Sequence, residues 1–96
     1  MTTIWKFEFE VNDEPQLRYM PEGSRVLSVQ VQAGAICLWA SVFPNNASRP
    51  RSFRVRGTGH QWDAGEEWVG TVQMPPFVWH LLEVCPPKDA WAKENR

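Results

Sequence analysis

The densest set of chemically capable side chains in this 96-residue chain is the stretch Arg56 to Asp63, RGTGHQWD. It holds a guanidinium, a hydroxyl, an imidazole, an indole and a carboxylate, with Gly57 and Gly59 between them. Such a set could cradle an anion on backbone amides, stack a flat ring on an indole, or work as a catalytic loop around His60. Two familiar phosphate loops are excluded. A Walker-type loop needs a Lys-Ser/Thr pair ahead of a helix, so that amides and an ammonium converge on the phosphate. A dinucleotide fingerprint needs three glycines between a strand and a helix. Neither pattern is present. Two readings remain. Either the glycines relieve backbone strain in a turn that ends a strand, or Thr58, Gly59, His60 and Trp62 form a loop that meets an anion or a ring.

Arg49, Arg51, Arg54 and Arg56 form the main basic concentration. In an extended strand Arg54 and Arg56 leave from the same face. Their planar forks suit phosphate or carboxylate. They either lie on a solvated strand face, with partners among Gln30, Gln32 and nearby acids, or hold a small anionic ligand that stacks on a tryptophan. Catalysis finds less support. His60 and His80 have no Cys, Asp or Glu around them at metal-ligand spacing. A Cys–His nucleophile needs an exposed, activated thiolate, whereas Cys37 and Cys85 lie in apolar runs and read as buried free thiols. Asp63, Glu66 and Glu67 sit on a connection without a second carboxylate set and read as a solvated loop. No catalytic residue, metal or cofactor is expected, and the protein is read as a binder rather than an enzyme.

The elements that must position these residues are strands. Apolar and polar residues alternate with a period of two through most of the chain. From Ile4 to Val11, Trp5, Phe7, Phe9 and Val11 share one face, and Lys6, Glu8 and Glu10 the other. A short extended piece follows at Gln16–Met20. Arg25–Gln32 places Leu27, Val29 and Val31 inward, and Ala33-Gly34 reads as a tight hairpin. Ala35–Phe43 is apolar on both faces and therefore requires cover on both. Pro44–Pro50 reads as a loop. Arg51–Thr58 sets Phe53 and Val55 against Arg54 and Arg56. Glu67–Met74 places Trp68, Gly70 and Val72 on one face, Pro75-Pro76 interrupts, and Phe77–Cys85 is the most apolar strand. The expectation is an all-β fold: a five- to six-stranded antiparallel sheet, small sandwich or open barrel, with an irregular C-terminal tail. Residues 1–86 form one domain and 87–96 the tail.

Composition sets further bounds. The chain is 43% hydrophobic and 22% charged, with a formal net charge of −1, so nothing draws it to nucleic acid or an anionic membrane. No apolar run reaches the roughly 20 residues of a membrane-spanning helix, and the N-terminal residues lack a signal-peptide core. The expected place is the cytoplasm. Six tryptophans are many for so short a chain, and a small core gains from oligomerisation. Trp39, Phe43, Trp79 and His80 are the expected homo-oligomer interface. Arg54, Arg56, Thr58, Gly59, His60, Trp62 and Trp39 are the expected ligand-binding set.

Three blocks, MPEGSRVLSVQVQAGAICLWA (Met20–Ala40), GTGH (Gly57–His60) and WVGTVQM…FVWHLLE (Trp68–Glu83), together with TIWKFEF near the N-terminus, resemble a family of small, largely uncharacterised tailed-phage and prophage proteins. The chain departs from that pattern at Pro75-Pro76, where relatives are glycine-rich, and at Gln61, where they carry proline. The resemblance implies a phage origin and a life in the cytoplasm of an infected bacterial host. It carries over no catalytic residue. By analogy with small phage accessory proteins, it suggests counter-defence by stoichiometric binding. The first expectation is a homo-oligomeric sponge for a small nucleotide-derived immune signal. The alternative is a protein-binding inhibitor of a host defence complex, such as a CRISPR effector.

Overall fold

The alternating pattern becomes seven strands, all paired antiparallel, in a computed structural model that describes residues 1–85. They are β1 (Thr3–Phe9), β2 (Gln16–Pro21), β3 (Arg25–Gln32), β4 (Ala35–Val42), β5 (Ser48–Gly57), β6 (Glu66–Met74) and β7 (Phe77–Val84). One sheet has the order β1-β4-β3 and the other β2-β5-β7-β6. The all-β antiparallel expectation stands, but the count is seven strands in sheets of three and four, and the sheets do not close into a barrel. No helix occurs among the described residues. The tail expected at 87–96 lies outside them.

One core joins the two sheets. Phe9, Ile36, Leu38, Ala40 and Val42 enter it from the three-stranded sheet, and Met20, Phe53, Val55, Val72 and Leu81 from the four-stranded one. These are the inward positions of strands with one buried face. β4 is central in its sheet, which explains its apolar character. Its outward residue Cys37 is fully buried beside its cross-strand neighbours Glu8 and Gln30. Cover at that position therefore comes from within the chain. Trp39, paired with Lys6 and Ser28, is half-buried on the same outward face.

Two corrections to the strand faces share a cause. The pairing of β3 with β4 shifts between Val26 and Ser28, and that of β6 with β7 between Trp68 and Gly70. A bulge inserts one unpaired residue, so everything beyond it changes face relative to strict alternation. Leu27 is thus exposed, and Val26 packs on the core in its place. Trp68 pairs with outward Leu82, opposite in sense to Gly70 and Val72. A third correction concerns the loop 44–50. β5 starts at Ser48, and Pro50 pairs with Tyr19. β7 reaches β5 only at Ser52, so Pro50 sits where that flank of β5 is open and a missing N–H breaks no ladder.

The sides of the molecule are closed differently. Between β1 and β2, Arg18 donates from Nε and Nη2 to the Glu8 carbonyl at 3.0 and 2.6 Å and lies 4.7 Å over the Phe9 ring. Gln16 and the Glu10 backbone exchange two hydrogen bonds. Between β3 and β6 the contact is tight. A Cβ on Gly70 would lie 2.7 Å from Val29, so only glycine fits. At the hairpin between β3 and β4, Ala33 and Gly34 both adopt positive φ, 50° and 77°, as a two-residue turn of the hairpin type requires. At one end of the core, Arg51 forms a fork with Glu83 at 2.6 and 2.7 Å and donates to the Ser24 carbonyl at 2.9 Å.

Candidate functional site

β5 and β7 lie side by side in the four-stranded sheet, and their outward residues make the floor of the site. Arg54 and Arg56 leave β5 on that side, with Leu82 and His80 beside them on β7. The bulge in β6 adds Trp68 and Thr71 to the same face. The connection between β5 and β6 folds back over this floor. The result is a cavity of about 240 Å³ lined by Arg56, Gly57, Thr58, Gly59, His60, Gln61, Trp62, Trp68, His80 and Leu82. Of the residues expected to bind ligand, Arg56, Thr58, Gly59, His60 and Trp62 therefore share one cavity. Arg54 lies beside it through Glu66. Trp39 stands on the outward face of the other sheet and is not brought to it.

The arginines are already engaged. Nη2 of Arg56 donates to Asp63 at 3.0 Å and to both oxygens of Glu66 at 3.2 and 2.9 Å. Arg54 approaches Glu66 at 3.9 Å. The Glu66 side chain is only 4% exposed, and that of Arg56 13%. Glu66 also accepts the Asp63 amide at 3.0 Å, which ties the start of β6 to the loop. This corrects the reading of Glu66 as part of a solvated loop: the carboxylate is buried because two guanidiniums compensate it. It also replaces Gln30 and Gln32, which lie on the other sheet, as partners of the arginines. The hydrogen bond to Glu66, outweighing opposing desolvation, raises the Arg56 pKa above its ordinary value, and Glu83 does the same for Arg51. Both guanidiniums stay charged across any working pH. Whatever stability these shifts contribute is present below the ordinary arginine range and is lost only in strong alkali.

Two indoles flank the cavity with their only polar atom spoken for. Trp62 Nε1 donates to the Glu66 carbonyl at 2.8 Å, and Trp68 Nε1 to the Thr71 hydroxyl at 2.9 Å. Yet Trp62 is 60% and Trp68 56% exposed, and neither stacks on another aromatic ring among the described residues. Both rings are held in orientation and are more than half exposed. His80 is fixed between two hydroxyls: Nε2 lies 3.0 Å from Thr58 and Nδ1 2.9 Å from Thr71. His60 lines the cavity while accepting the Gly57 amide on Nδ1 at 2.9 Å and meeting Trp79 edge-to-face. A Cβ on Gly57 would come within 3.0–3.1 Å of His60 and Trp79, so the glycine keeps that junction tight.

A comparison with known protein families matches residues 1–92 to a family described as Domain of unknown function (DUF7352). The chain belongs to that family. No curated protein matches, and no solved structure matches. Membership assigns no activity, so what the site can do rests on its geometry. Among the described residues no cluster of three or more His, Cys, Asp or Glu could hold a metal ion, and no helix is long and apolar enough to cross a membrane.

The four residues expected at an oligomer interface are dispersed. Trp79 packs against the core, His80 lies in the cavity, Trp39 is on the outward face of the three-stranded sheet, and Phe43 follows β4 near Gly23. Sequence reasoning missed Gln61, Trp68, His80 and Leu82 as cavity residues. The bulge hides Trp68, and Leu82 has the character of ordinary strand filling. Glu66 carried a usable signal, since it follows two outward arginines by about ten residues, across a connection long enough to fold back.

Proposed function

We propose that the protein acts by binding rather than catalysis, as a phage counter-defence factor that captures a small nucleotide-derived immune signal stoichiometrically, in the manner of a homo-oligomeric sponge. The observation that supports this reading is the pair of pinned, open indole faces of Trp62 and Trp68 beside a cavity of about 240 Å³. A flat ring gains stacking energy on a face that is already oriented, because little rotamer freedom is lost on binding. Thr58, Gly59 and His60 line the same cavity and supply its polar edge. The arginines enter differently from the sequence-based expectation: Arg56 and Arg54 brace the loop through Glu66 rather than standing free for phosphate.

Isothermal titration with cyclic dinucleotides and cyclic ADP-ribose variants tests the reading. Stoichiometric heat with one of them is expected. It should weaken about 5- to 100-fold in Trp62→Ala and Trp68→Ala, the usual range for one aromatic stack. No heat with any of them, from a folded protein, overturns it. Mass in solution checks the oligomer, and a strict monomer removes that element.

A second reading is favoured by the face around the cavity. Leu17, Tyr19, Trp68 and Val78 are exposed on the outward face of the four-stranded sheet. An apolar, aromatic surface of this kind suits a protein partner, with Trp and Tyr as anchors. The protein would then inhibit a host defence complex. Affinity capture from host lysate separates the two: a stable stoichiometric protein supports the inhibitor, and a nucleotide released on denaturation supports the sponge.

A further inference from the structure

We infer that the cavity beneath Trp62 and Trp68 selects an uncharged, flat heterocycle that presents a hydrogen-bond acceptor, and that any phosphate on the ligand stays outside. This rests on the reading of that cavity as the capture site.

Charge comes first. The cationic groups at the site are Arg54 and Arg56, and the carboxylates paired with them are Asp63 and Glu66. The cluster is formally neutral. A phosphate would bring further negative charge to a balanced group, or would have to expel Glu66. That carboxylate is almost wholly buried and also holds the Asp63 amide. Removing one member of a buried pair leaves an uncompensated charge, which is strongly unfavourable.

Hydrogen-bond inventory comes second. Several donors around the cavity are committed: both indole N–H groups, both nitrogens of His80, and one N–H of the Gln61 amide, which donates to Asp63 at 2.6 Å. His60 keeps its Nε2–H, since Nδ1 accepts the Gly57 amide, and Gln61 keeps a second N–H. Arg56 also keeps donors. Its carboxylate bonds all run through Nη2, Nη1 takes part in no hydrogen bond among the described residues, and Nε is buried without a partner. A guanidinium donates and never accepts. The complementary ligand group is therefore a carbonyl oxygen or an unprotonated ring nitrogen.

Size comes third. About 240 Å³ is smaller than the roughly 300–1,000 Å³ of pockets for drug-sized ligands, so it suits one ring system. Gly57, Thr58 and His60 also border a second cavity of about 500 Å³, continued by Pro76, Phe77, Val78 and Trp79. No residue of that second lining carries a fixed charge. A neutral substituent such as a sugar fits there better than a phosphate does.

The test compares inosine and adenosine with their 5′-monophosphates by calorimetry or ligand-observed NMR, in low and high salt. At least one nucleoside should bind, its monophosphate should differ by less than about threefold, and affinity should hold to within about twofold as salt rises, because no charge pairing is screened. Trp68→Ala should lose the nucleoside while remaining folded. A monophosphate more than about threefold tighter, with affinity falling in salt as charge contacts do, overturns the inference and leaves the capture site standing. Retention of the nucleoside by Trp68→Ala also overturns it. No binding by nucleosides, monophosphates or the cyclic nucleotides overturns both the inference and the capture reading.

Discussion

Glu66→Gln removes one charge and almost no volume, at a carboxylate that serves two arginines and a backbone amide. The amide can still accept the Asp63 N–H through its oxygen, but it faces Arg56 with an NH2 group. Arg56 would lose its 2.9 Å bond and keep the 3.2 Å contact with that oxygen and its 3.0 Å contact with Asp63, which is half-exposed. Breaking a buried pair by deleting one partner costs about 3–5 kcal/mol. The contacts that remain to Arg56 place the expected loss just below that range, at about 2–3 kcal/mol. For a chain of this size that corresponds to a fall in Tm of about 8–24 °C. In urea, with a slope of about 1–1.5 kcal/mol/M, the midpoint should drop by about 1.3–3 M. Asp63→Asn is the internal comparison. It contacts the same guanidinium from a half-exposed position, where ion pairs contribute about 0–1 kcal/mol. Both variants should be measured by equilibrium urea unfolding followed by tryptophan fluorescence. If Glu66→Gln costs less than about 1 kcal/mol, or no more than Asp63→Asn, then Glu66 is not the brace of this loop and the account of the site is wrong.

Gly70→Ala should destabilise by about 1–3 kcal/mol, because the new Cβ would lie 2.7 Å from Val29 and the two strands must part; an unchanged urea midpoint would show that the β3–β6 contact is looser than described. Arg18→Ala should cost about 1–2 kcal/mol and speed amide exchange along Thr3–Phe9, since the guanidinium is what holds the Glu8 carbonyl on the open side; exchange in β1 at the parent rate would count against that role. Neither thiol should react quickly with a disulfide reagent at neutral pH. Cys37 is fully buried, and burial, with Glu67 and Glu83 adding to it, pushes the Cys85 thiol above its ordinary pKa, so its thiolate stays scarce. Rapid stoichiometric labelling of the folded protein would refute this.

Much of the architecture is legible because half-buried strands announce themselves. The alternation in β1, the Phe53–Val55 against Arg54–Arg56 division in β5, and the Ala33-Gly34 turn each follow from local chemistry. What sequence could not give is long-range. Nothing local states that Arg18 reaches back ten residues to Glu8, or that β5 pairs with both β2 and β7. The apolar outward residues of β4 require cover, and at Cys37 that cover lies within its own sheet. At the candidate site, Thr58, Gly59, His60 and Trp62 were legible because they are close in sequence and chemically varied. Trp68 was not, since its face depends on a bulge. The state of the arginines was not, since a carboxylate on a polar connection carries no mark of being buried.

The bulge beside Trp68 makes the cavity a matter of parity. Val69 is the odd residue between Trp68 and Gly70, and it is what sends the indole outward to Leu82 while Gly70 and Val72 stay inward. Deleting that one position would restore strict alternation with Trp68 still opposite Leu82, whereas the same residues paired without a bulge would turn the indole toward the opposite side. One wall of the cavity is therefore encoded by how the strand pairs as much as by its letters. A relative that pairs this strand without the bulge could keep every aromatic residue and still lack that wall.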